Sequence, residues 1–196
     1  MAFVQRSIYY FETPGTANTA DAIRFAMERA QELGIKKIVV ASTSGDTAKK
    51  CFDAMKGTGL HLIVVTHVVG FTKPGEWEFD QKTADSLQKN GVTIVTGTHA
   101  LSGLERALSR SQKVGGGSRT EAIAEALRRV VAVGLKVAVE CVLIAADNGA
   151  VGVDEEVIAL GGTWSGADTV CVIRPAHTAS FFDLQVREIV GMPRDR

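Results

Sequence analysis

Short runs of β-branched residues alternate with segments of helical period along this chain. The runs "KKIVVAS" (36–42), "LHLIVVTH" (60–67) and "VTIVTGT" (92–98) are short and apolar enough to form buried strands. Segments with apolar residues at every third or fourth position separate them. This alternation is typical of βαβ units, in which helices cover a sheet of parallel strands. The pattern therefore predicts an α/β fold.

Capping residues mark where the helices begin and end. Asn18 or Thr19 can begin a first helix that Gly34 ends, and Asp80 and Gly91 bracket another. Four further segments are predicted to be helical: 46–57, 101–111, 120–131 and 136–149. The last of these is apolar on all sides, and its length and alanines favour a buried helix over a strand.

The C-terminal third returns to strand patterns. "EEVIALGGT" (155–163) and "ADTVCVIRP" (167–175) each predict a strand, and "FFDLQVREIV" (181–190) predicts a closing strand or helix. The glycine-rich "QKVGGGSR" (112–119) is predicted to be a mobile connector. With 196 residues, the chain is long enough for one full core, so we expect a single domain spanning 1–196.

Charge narrows the set of expected partners. The formal net charge is zero, and no run is rich in Lys or Arg. Binding to nucleic acid or to an anionic membrane therefore lacks its usual electrostatic driving force, and we expect neither partner. The start of the chain resembles no signal peptide, and no 18 consecutive residues are apolar. We expect a cytoplasmic protein, and one sequence leaves open whether it forms a homo-oligomer.

The sequence offers no metal-ligand spacing. Cys51, Cys141 and Cys171 lie far apart in apolar surroundings and form no CxxC pair, so we expect buried, unreactive thiols. No HExxH motif or cluster of three ligands is present in the sequence. We therefore predict no metal site.

Small and hydroxyl-bearing residues follow four of the predicted strands. Because the carboxyl ends of parallel strands meet at one edge of a sheet, these loops are expected to converge there and bind a ligand. The candidate binding residues are Ser42, Thr43, Ser44, Gly45, Asp46 and Thr47 after the first strand, Thr66 and His67 after the second, Gly97, Thr98 and His99 after the third, and Gly161, Gly162 and Thr163 after the fourth.

Such an edge favours an anion. A glycine lets a ligand approach the backbone, and the unpaired N–H groups of a helix's first turn, with the helix dipole, attract negative charge. The same residue types also serve as ordinary helix caps and turn formers, which alone would explain any one loop. Four such loops at one edge favour a binding site.

Two histidines and one aromatic loop have two interpretations each. His67 and His99 either act as acid, base or ligand, or are hydrogen-bonded polar residues at strand ends. Phe71, Trp77 and Phe79 surround a Pro-Gly turn. They either cover a planar ring of a ligand or fasten the loop to the core, and the second interpretation is favoured.

Several stretches together resemble a known family. "IKKIVVASTSGDTAKK" is similar to the strand, phosphate loop and helix of the pyruvate kinase C-terminal domain, where a Ser-x-Ser-Gly-x-Thr-Ala pattern holds a sugar phosphate. Here that pattern is Ser42, Ser44, Gly45, Thr47 and Ala48. "YFETPGTANT", "VDEEVIALGGTWSGADT" and "VIRPAHTASFFDLQVREI" extend the resemblance, over nearly the whole chain, to the stand-alone pyruvate kinase α/β domain-like family.

The resemblance implies a three-layer α/β/α fold with a mostly parallel sheet and one antiparallel strand. It also implies flavin mononucleotide (FMN) as a cofactor, as in some members of that family. Pyruvate kinase activity is not expected, because the chain is too short to contain the catalytic barrel of that enzyme. Unlike pyruvate kinases, this loop carries Asp46 and has no basic residue before Lys49 and Lys50. Asp46 is a candidate helix cap.

These observations lead to three hypotheses. The first is a protein that binds a phosphorylated small molecule, FMN in particular, in the loop from Ser42 to Thr47. The second is a non-catalytic sensor of a sugar phosphate or other metabolite. The third is a flavin-dependent oxidoreductase with His67 or His99 as proton donor. Because no GxGxxG signature is present, catalysis ranks below binding, and we assign no catalytic residue.

Overall fold

A computed structural model describes residues 3–113 and 116–195 of the chain. The predicted connector at 112–119 includes Val114 and Gly115, which lie outside the described residues. The elements are β1 (Tyr9–Phe11), α1 (Thr19–Leu33), β2 (Lys37–Ala41), α2 (Asp46–Met55), β3 (His61–Thr66), α3 (Gln81–Lys89), β4 (Thr93–Thr96), α4 (Gly103–Arg110), α5 (Arg119–Val130), α6 (Val133–Asp147), β5 (Val157–Gly161), β6 (Thr169–Arg174) and β7 (Gln185–Pro193).

The strands form one seven-stranded sheet in the order β1-β7-β6-β5-β2-β3-β4. β2, β3, β4 and β5 are parallel to one another, and only β6, of the described strands, runs antiparallel to both of its neighbours. The predicted α/β fold with a mostly parallel sheet and one antiparallel strand is therefore confirmed.

The order of the strands changes direction beside β2. The chain runs outward from β2 to β3 and β4, and then returns to place β5 on the other side of β2. Ligands of open α/β sheets bind at such a point, outside the carboxyl ends of the strands. The four predicted loops are therefore brought to one edge, because the strands that they follow are parallel.

Helices cover both faces of the sheet. One buried cluster joins α1, α2 and α3 to one face, through residues such as Ala26 and Cys51. A second joins α5 and α6 to the other face, through residues such as Ala124 and Val142. The largest buried side chains of the sheet are β-branched or leucine, as expected for strands covered on both sides. This gives the three layers of the predicted fold.

Local capping explains where the helices begin and end. Gly34 ends α1 in the left-handed conformation, with φ of 69°. The Asp80 carboxylate accepts a hydrogen bond of 2.7 Å from the backbone N–H of Thr83 and so caps α3. Segment 136–149 belongs to a helix, α6, as predicted, and 181–190 contributes to the strand β7.

Two features of the structure differ from what the local sequence pattern predicts. β1 has only three residues, and nothing in the local pattern distinguishes it from a loop; it forms because it pairs with β7. Helical spacing in the predicted segment 101–111 would place Leu101, Leu104 and Leu108 on one face. In the structure, Leu101 is buried before α4 begins, whereas Leu104 and Leu108 are exposed. Helical spacing does not decide which face meets the core.

Candidate ligand-binding cleft

A cleft of about 640 Å³ lies at the carboxyl ends of β2, β3, β4 and β5. Its volume falls within the usual range of small-molecule sites, about 300–1,000 Å³. Nine of the candidate residues line it: Ser42, Thr43, Ser44, Asp46, Thr47, Thr66, His67, His99 and Gly162. The sheet topology therefore brings loops from four strands to one cavity.

The turn between β2 and α2 is organised by the hydroxyl of Ser42. Ser42 is buried, and its Oγ accepts a hydrogen bond of 3.3 Å from the backbone N–H of Ala48. Its own N–H donates to the carbonyl of Val65 at 3.0 Å, which ties the turn to β3. Ser42 thus caps α2 from four residues before the helix begins.

Several donors of this turn remain unused. In the described part of the chain, the backbone N–H groups of Thr43, Ser44, Gly45 and Thr47 have no hydrogen-bond partner. Unpaired N–H groups at a helix N-terminus are ready donors for an anion, and the helix dipole adds to the attraction. The turn therefore has the donors of an anion site.

Asp46 is the first residue of α2, and Gly45 occupies the N-cap position. The Asp46 carboxylate accepts a hydrogen bond of 3.1 Å from the hydroxyl of Ser44, so Asp46 is not the cap that the sequence suggested. Gly45 has φ of 108°, and a Cβ there would lie 3.0 Å from Thr83 Cγ2. Glycine is required at this position by both the backbone conformation and the packing.

Basic residues from four helices line the same cleft. The sequence showed only Lys49 and Lys50, both of α2, near the turn. The fold adds three more: Arg106 of α4, Arg128 of α5 and Lys136 of α6. Arg106 is paired with Glu121 at 3.3 Å, and Arg128 is paired with Glu125 at 2.6 Å. These three residues lie far from the turn in the sequence, so local patterns did not associate them with it.

Thr66 and His67 connect the end of β3 to the following loop. Thr66 Oγ1 lies 2.8 Å from Thr96 Oγ1 and accepts a hydrogen bond of 3.1 Å from Trp77 Nε1. His67 Nδ1 lies 2.8 Å from a carboxylate oxygen of Glu78. The hydrogen bonds from His67 and Thr72 hold the pKa of Glu78 below its usual value. Both candidates thus have structural partners.

His99 meets a buried ion pair on the other side of the cleft. Its Nδ1 lies 3.6 Å from Oε2 of Glu140, the oxygen that also accepts from the ammonium of Lys136. The second oxygen of Glu140 accepts a hydrogen bond of 2.9 Å from the N–H of Leu101. Within the described residues, His99 Nε2 is buried and has no partner.

Burial and charge act on the two members of this ion pair. Burial lowers the pKa of Lys136 below its ordinary value, against the attraction of Glu140. Burial alone would raise the pKa of Glu140. The contacts with His99, Lys136 and the Leu101 N–H outweigh it and lower that pKa to about 2. Glu140 is therefore ionised at neutral pH.

The remaining candidates pack against the structure around the cleft. A Cβ on Gly161 would lie 2.1 Å from the carbonyl oxygen of Gly134, so this glycine lets α6 approach β5. The N–H of Thr163 donates to the buried carboxylate of Asp168 at 3.1 Å. Five candidates, Gly45, Gly97, Thr98, Gly161 and Thr163, do not line the cleft.

The aromatic residues near the cleft occupy three different kinds of environment. Trp77 and Phe79 stack on each other and pack against the core, which agrees with the favoured interpretation of the loop. Phe71 instead lines the cleft and stacks on His99, with ring centroids 5.0 Å apart. Trp164, which sequence analysis did not single out, is fully exposed at the cleft and has φ of 67°. A left-handed conformation is unusual for a bulky residue.

Two kinds of feature are absent from the described residues. No helix there is long and apolar enough to cross a membrane. No group of three or more His, Cys, Asp or Glu side chains in that part is arranged to hold a metal ion.

The fold and the cleft define an open-sheet α/β protein with a loop-lined cavity at its strand ends. Residues 20–173 match the family model described as "Pyruvate kinase, alpha/beta domain". This match covers more than half of the chain, so the chain belongs to this family. The resemblance in the sequence is confirmed.

Proposed function

We propose that the chain binds a phosphorylated small molecule, with its phosphate at the turn from Ser42 to Thr47, and that FMN is the ligand. The observation that carries the proposal is the set of unpaired N–H groups in this turn. A phosphate offers several acceptor oxygens and negative charge, which these donors and the start of α2 attract.

Charge at the cleft supports the same proposal. Lys49 and Lys50 line the cavity beside the turn. The turn itself contains no basic residue and carries the acidic Asp46. The Asp46 carboxylate accepts a hydrogen bond from the Ser44 hydroxyl. Lys49 and Lys50 follow it on α2 at the i+3 and i+4 positions, a spacing at which opposite charges attract on a helix. A dianionic phosphate thus meets both donors and positive charge.

The choice of FMN rests on the rest of the cleft. Its volume of about 640 Å³ accommodates a ligand of this size. Exposed Trp164 at one side and Phe71 at another offer aromatic faces for a planar ring. The proposed role is ligand binding, without pyruvate kinase activity.

The test compares FMN with riboflavin, which has the same ring and no phosphate. We expect FMN to bind in calorimetry and riboflavin to bind at least about tenfold more weakly, because the phosphate contacts are lost. Ser44→Glu, which places negative charge in the turn, is expected to weaken FMN binding by about tenfold or more. Ser86→Glu on the exposed side of α3 is the charge-matched control and is expected to bind normally.

Two results would contradict this proposal in different ways. Equal binding of FMN and riboflavin would show that the phosphate does not contribute to recognition. Binding of glucose 6-phosphate but not FMN would favour the sugar-phosphate sensor. A visible spectrum and a mass spectrum of the purified protein would identify a copurifying ligand directly.

A further inference from the structure

Among the described residues that line the cleft, one buried side-chain nitrogen has no hydrogen-bond partner. His99 Nε2 is buried and, within the described part of the chain, has no partner. Most buried polar atoms in native proteins are hydrogen-bonded, and an exception indicates a missing group or a chemical role. Since His99 lines the ligand cleft, a group of the ligand is the natural partner.

The other ring nitrogen, Nδ1, faces the carboxylate of Glu140. Nδ1 lies 3.6 Å from Oε2 of that carboxylate, and such contacts are commonly longer before a ligand binds than in the complex. An ionised carboxylate only accepts hydrogen bonds, so it favours the tautomer with the proton on Nδ1. In the neutral ring, Nε2 then presents a lone pair.

Glu140 is itself fixed in place. It accepts from the Leu101 N–H through one oxygen and from Lys136 through the other, and 7% of its side chain is exposed. A base oriented by a buried carboxylate is the arrangement that activates proton transfer in many active sites. Glu140 therefore has the geometry of a positioning residue for His99.

We infer that His99 is a proton acceptor in this cleft, acting through Nε2 on an O–H or N–H group of the bound phosphorylated molecule. The inference rests on the proposed function. In the step, the ligand's O–H or N–H bond breaks and its electron pair stays on the ligand. The proton bonds to Nε2, and the resulting imidazolium keeps its Nδ1 proton towards Glu140. The reverse step returns the proton.

The surroundings of His99 define how a ligand reaches it. The ring of Phe71 lies nearly parallel to the imidazole, at 17°, and is partly exposed. His67 packs on the same cluster, 5.3 Å away between ring centroids, and Glu78 adds negative charge beyond it. Because the Nε2 lone pair lies in the plane of the imidazole, a ligand group reaches it at the ring edge, and Phe71 covers a face of the same ring.

The test uses nuclear magnetic resonance of uniformly ¹⁵N-labelled protein, in which the histidine ring nitrogens and the backbone amides are both observed, with FMN as the probe. The chain has four histidines, which single substitutions can assign. Without FMN, we expect His99 to carry its proton on Nδ1. With saturating FMN, its Nε2 resonance is expected to move towards the protonated range. Glu140→Gln, which can also donate, is expected to shift the ring towards the other tautomer.

Binding variants supply a second measurement. His99→Asn retains a donor near Nδ1 and lacks Nε2, and we expect it to bind FMN at least about fivefold more weakly. His61→Asn is the matched control, because His61 lies at the opposite end of β3 and contacts Thr93. Glu140→Asp is expected to retain the Nδ1 tautomer.

The outcomes separate the two proposals. A shifted Gly45 amide with an unmoved His99 Nε2 would overturn the role of His99 and leave phosphate binding in place. A His99 that carries its proton on Nε2 without ligand would also overturn it. If neither the Gly45 amide nor His99 responds to FMN, both proposals fail.

Discussion

Lys136 and Glu140 lie one turn apart on α6 and form an ion pair within the protein interior. Only 4% and 7% of their side chains are exposed. Two charges removed from water lose much of their solvation, and each is tolerated because the other is present. Glu140 of this pair contacts His99, which lines the cleft, and accepts a hydrogen bond from the N–H of Leu101, just before α4. The ion pair therefore links the stability of the fold to the proposed site.

Removing one charge of this pair is expected to destabilise the protein strongly. Glu140→Gln leaves the Lys136 ammonium buried without a counter-charge, and we expect a loss of about 3–5 kcal/mol in the free energy of unfolding. Urea unfolding measures it. Lys136→Met combined with Glu140→Gln removes both charges and should recover much of the loss. A double variant that is no more stable than Glu140→Gln would contradict this account.

The pair also predicts a dependence of stability on pH. The pKa of Glu140 is about 2 in the folded protein, below the ordinary glutamate value of 4.5. Since the folded-state pKa is lowered, its contribution is fully present above pH 4.5 and is lost as the pH falls towards about 2. The stability difference between wild type and Glu140→Gln should therefore shrink over this range. A difference independent of pH would exclude Glu140 as the source.

Gly161 is expected to tolerate no side chain. A Cβ there would lie 2.1 Å from the Gly134 carbonyl oxygen and 2.9 Å from the Ala138 nitrogen, both backbone atoms of α6. We expect Gly161→Ala to cost more than about 4 kcal/mol, because α6 must move off β5. Gly117→Ala, with open space around it, should change stability by less than about 0.5 kcal/mol. Thermal unfolding of both variants is the measurement.

Alanine substitutions at Gly45 and Gly57 distinguish the energetic cost of backbone strain from the cost of a packing clash. Gly45 and Gly57 both have positive φ, and alanine at either should cost about 1–2 kcal/mol from strain alone. Only at Gly45 would the added Cβ meet neighbours, Thr83 and Phe79. We expect Gly45→Ala to be the more destabilising variant in urea unfolding and to weaken FMN binding. Equal losses at both positions would show that packing around the turn contributes little.

The three cysteines are expected to be inert in the folded protein. All are buried, and burial raises the pKa of Cys51, Cys141 and Cys171 to about 12 in each case. Since the thiolate is the reactive form, iodoacetamide should label none of them at neutral pH and all of them in denaturant. Mass spectrometry counts the labels. Rapid labelling of any native cysteine would identify an accessible thiol.

Local patterns predicted most of the elements. Apolar runs predicted the strands that contain Val40, Val64 and Val95, and the caps at Gly34 and Asp80 marked helix boundaries. These features depend on neighbours within a few positions, so the sequence carries them directly. β1 was not predicted, because it forms only by pairing with β7, which lies at the other end of the chain.

By itself, the sequence determined the α/β class, the capping of helices and the small, hydroxyl-bearing loops at the ends of strands. The tertiary structure decided which residues share the cleft. Lys136, Glu140 and Arg128 reach it from helices that follow β4, and Thr163 is engaged by Asp168 instead. The reason is physical: strand order and helix packing set distances between residues far apart in the chain, and no local pattern encodes them.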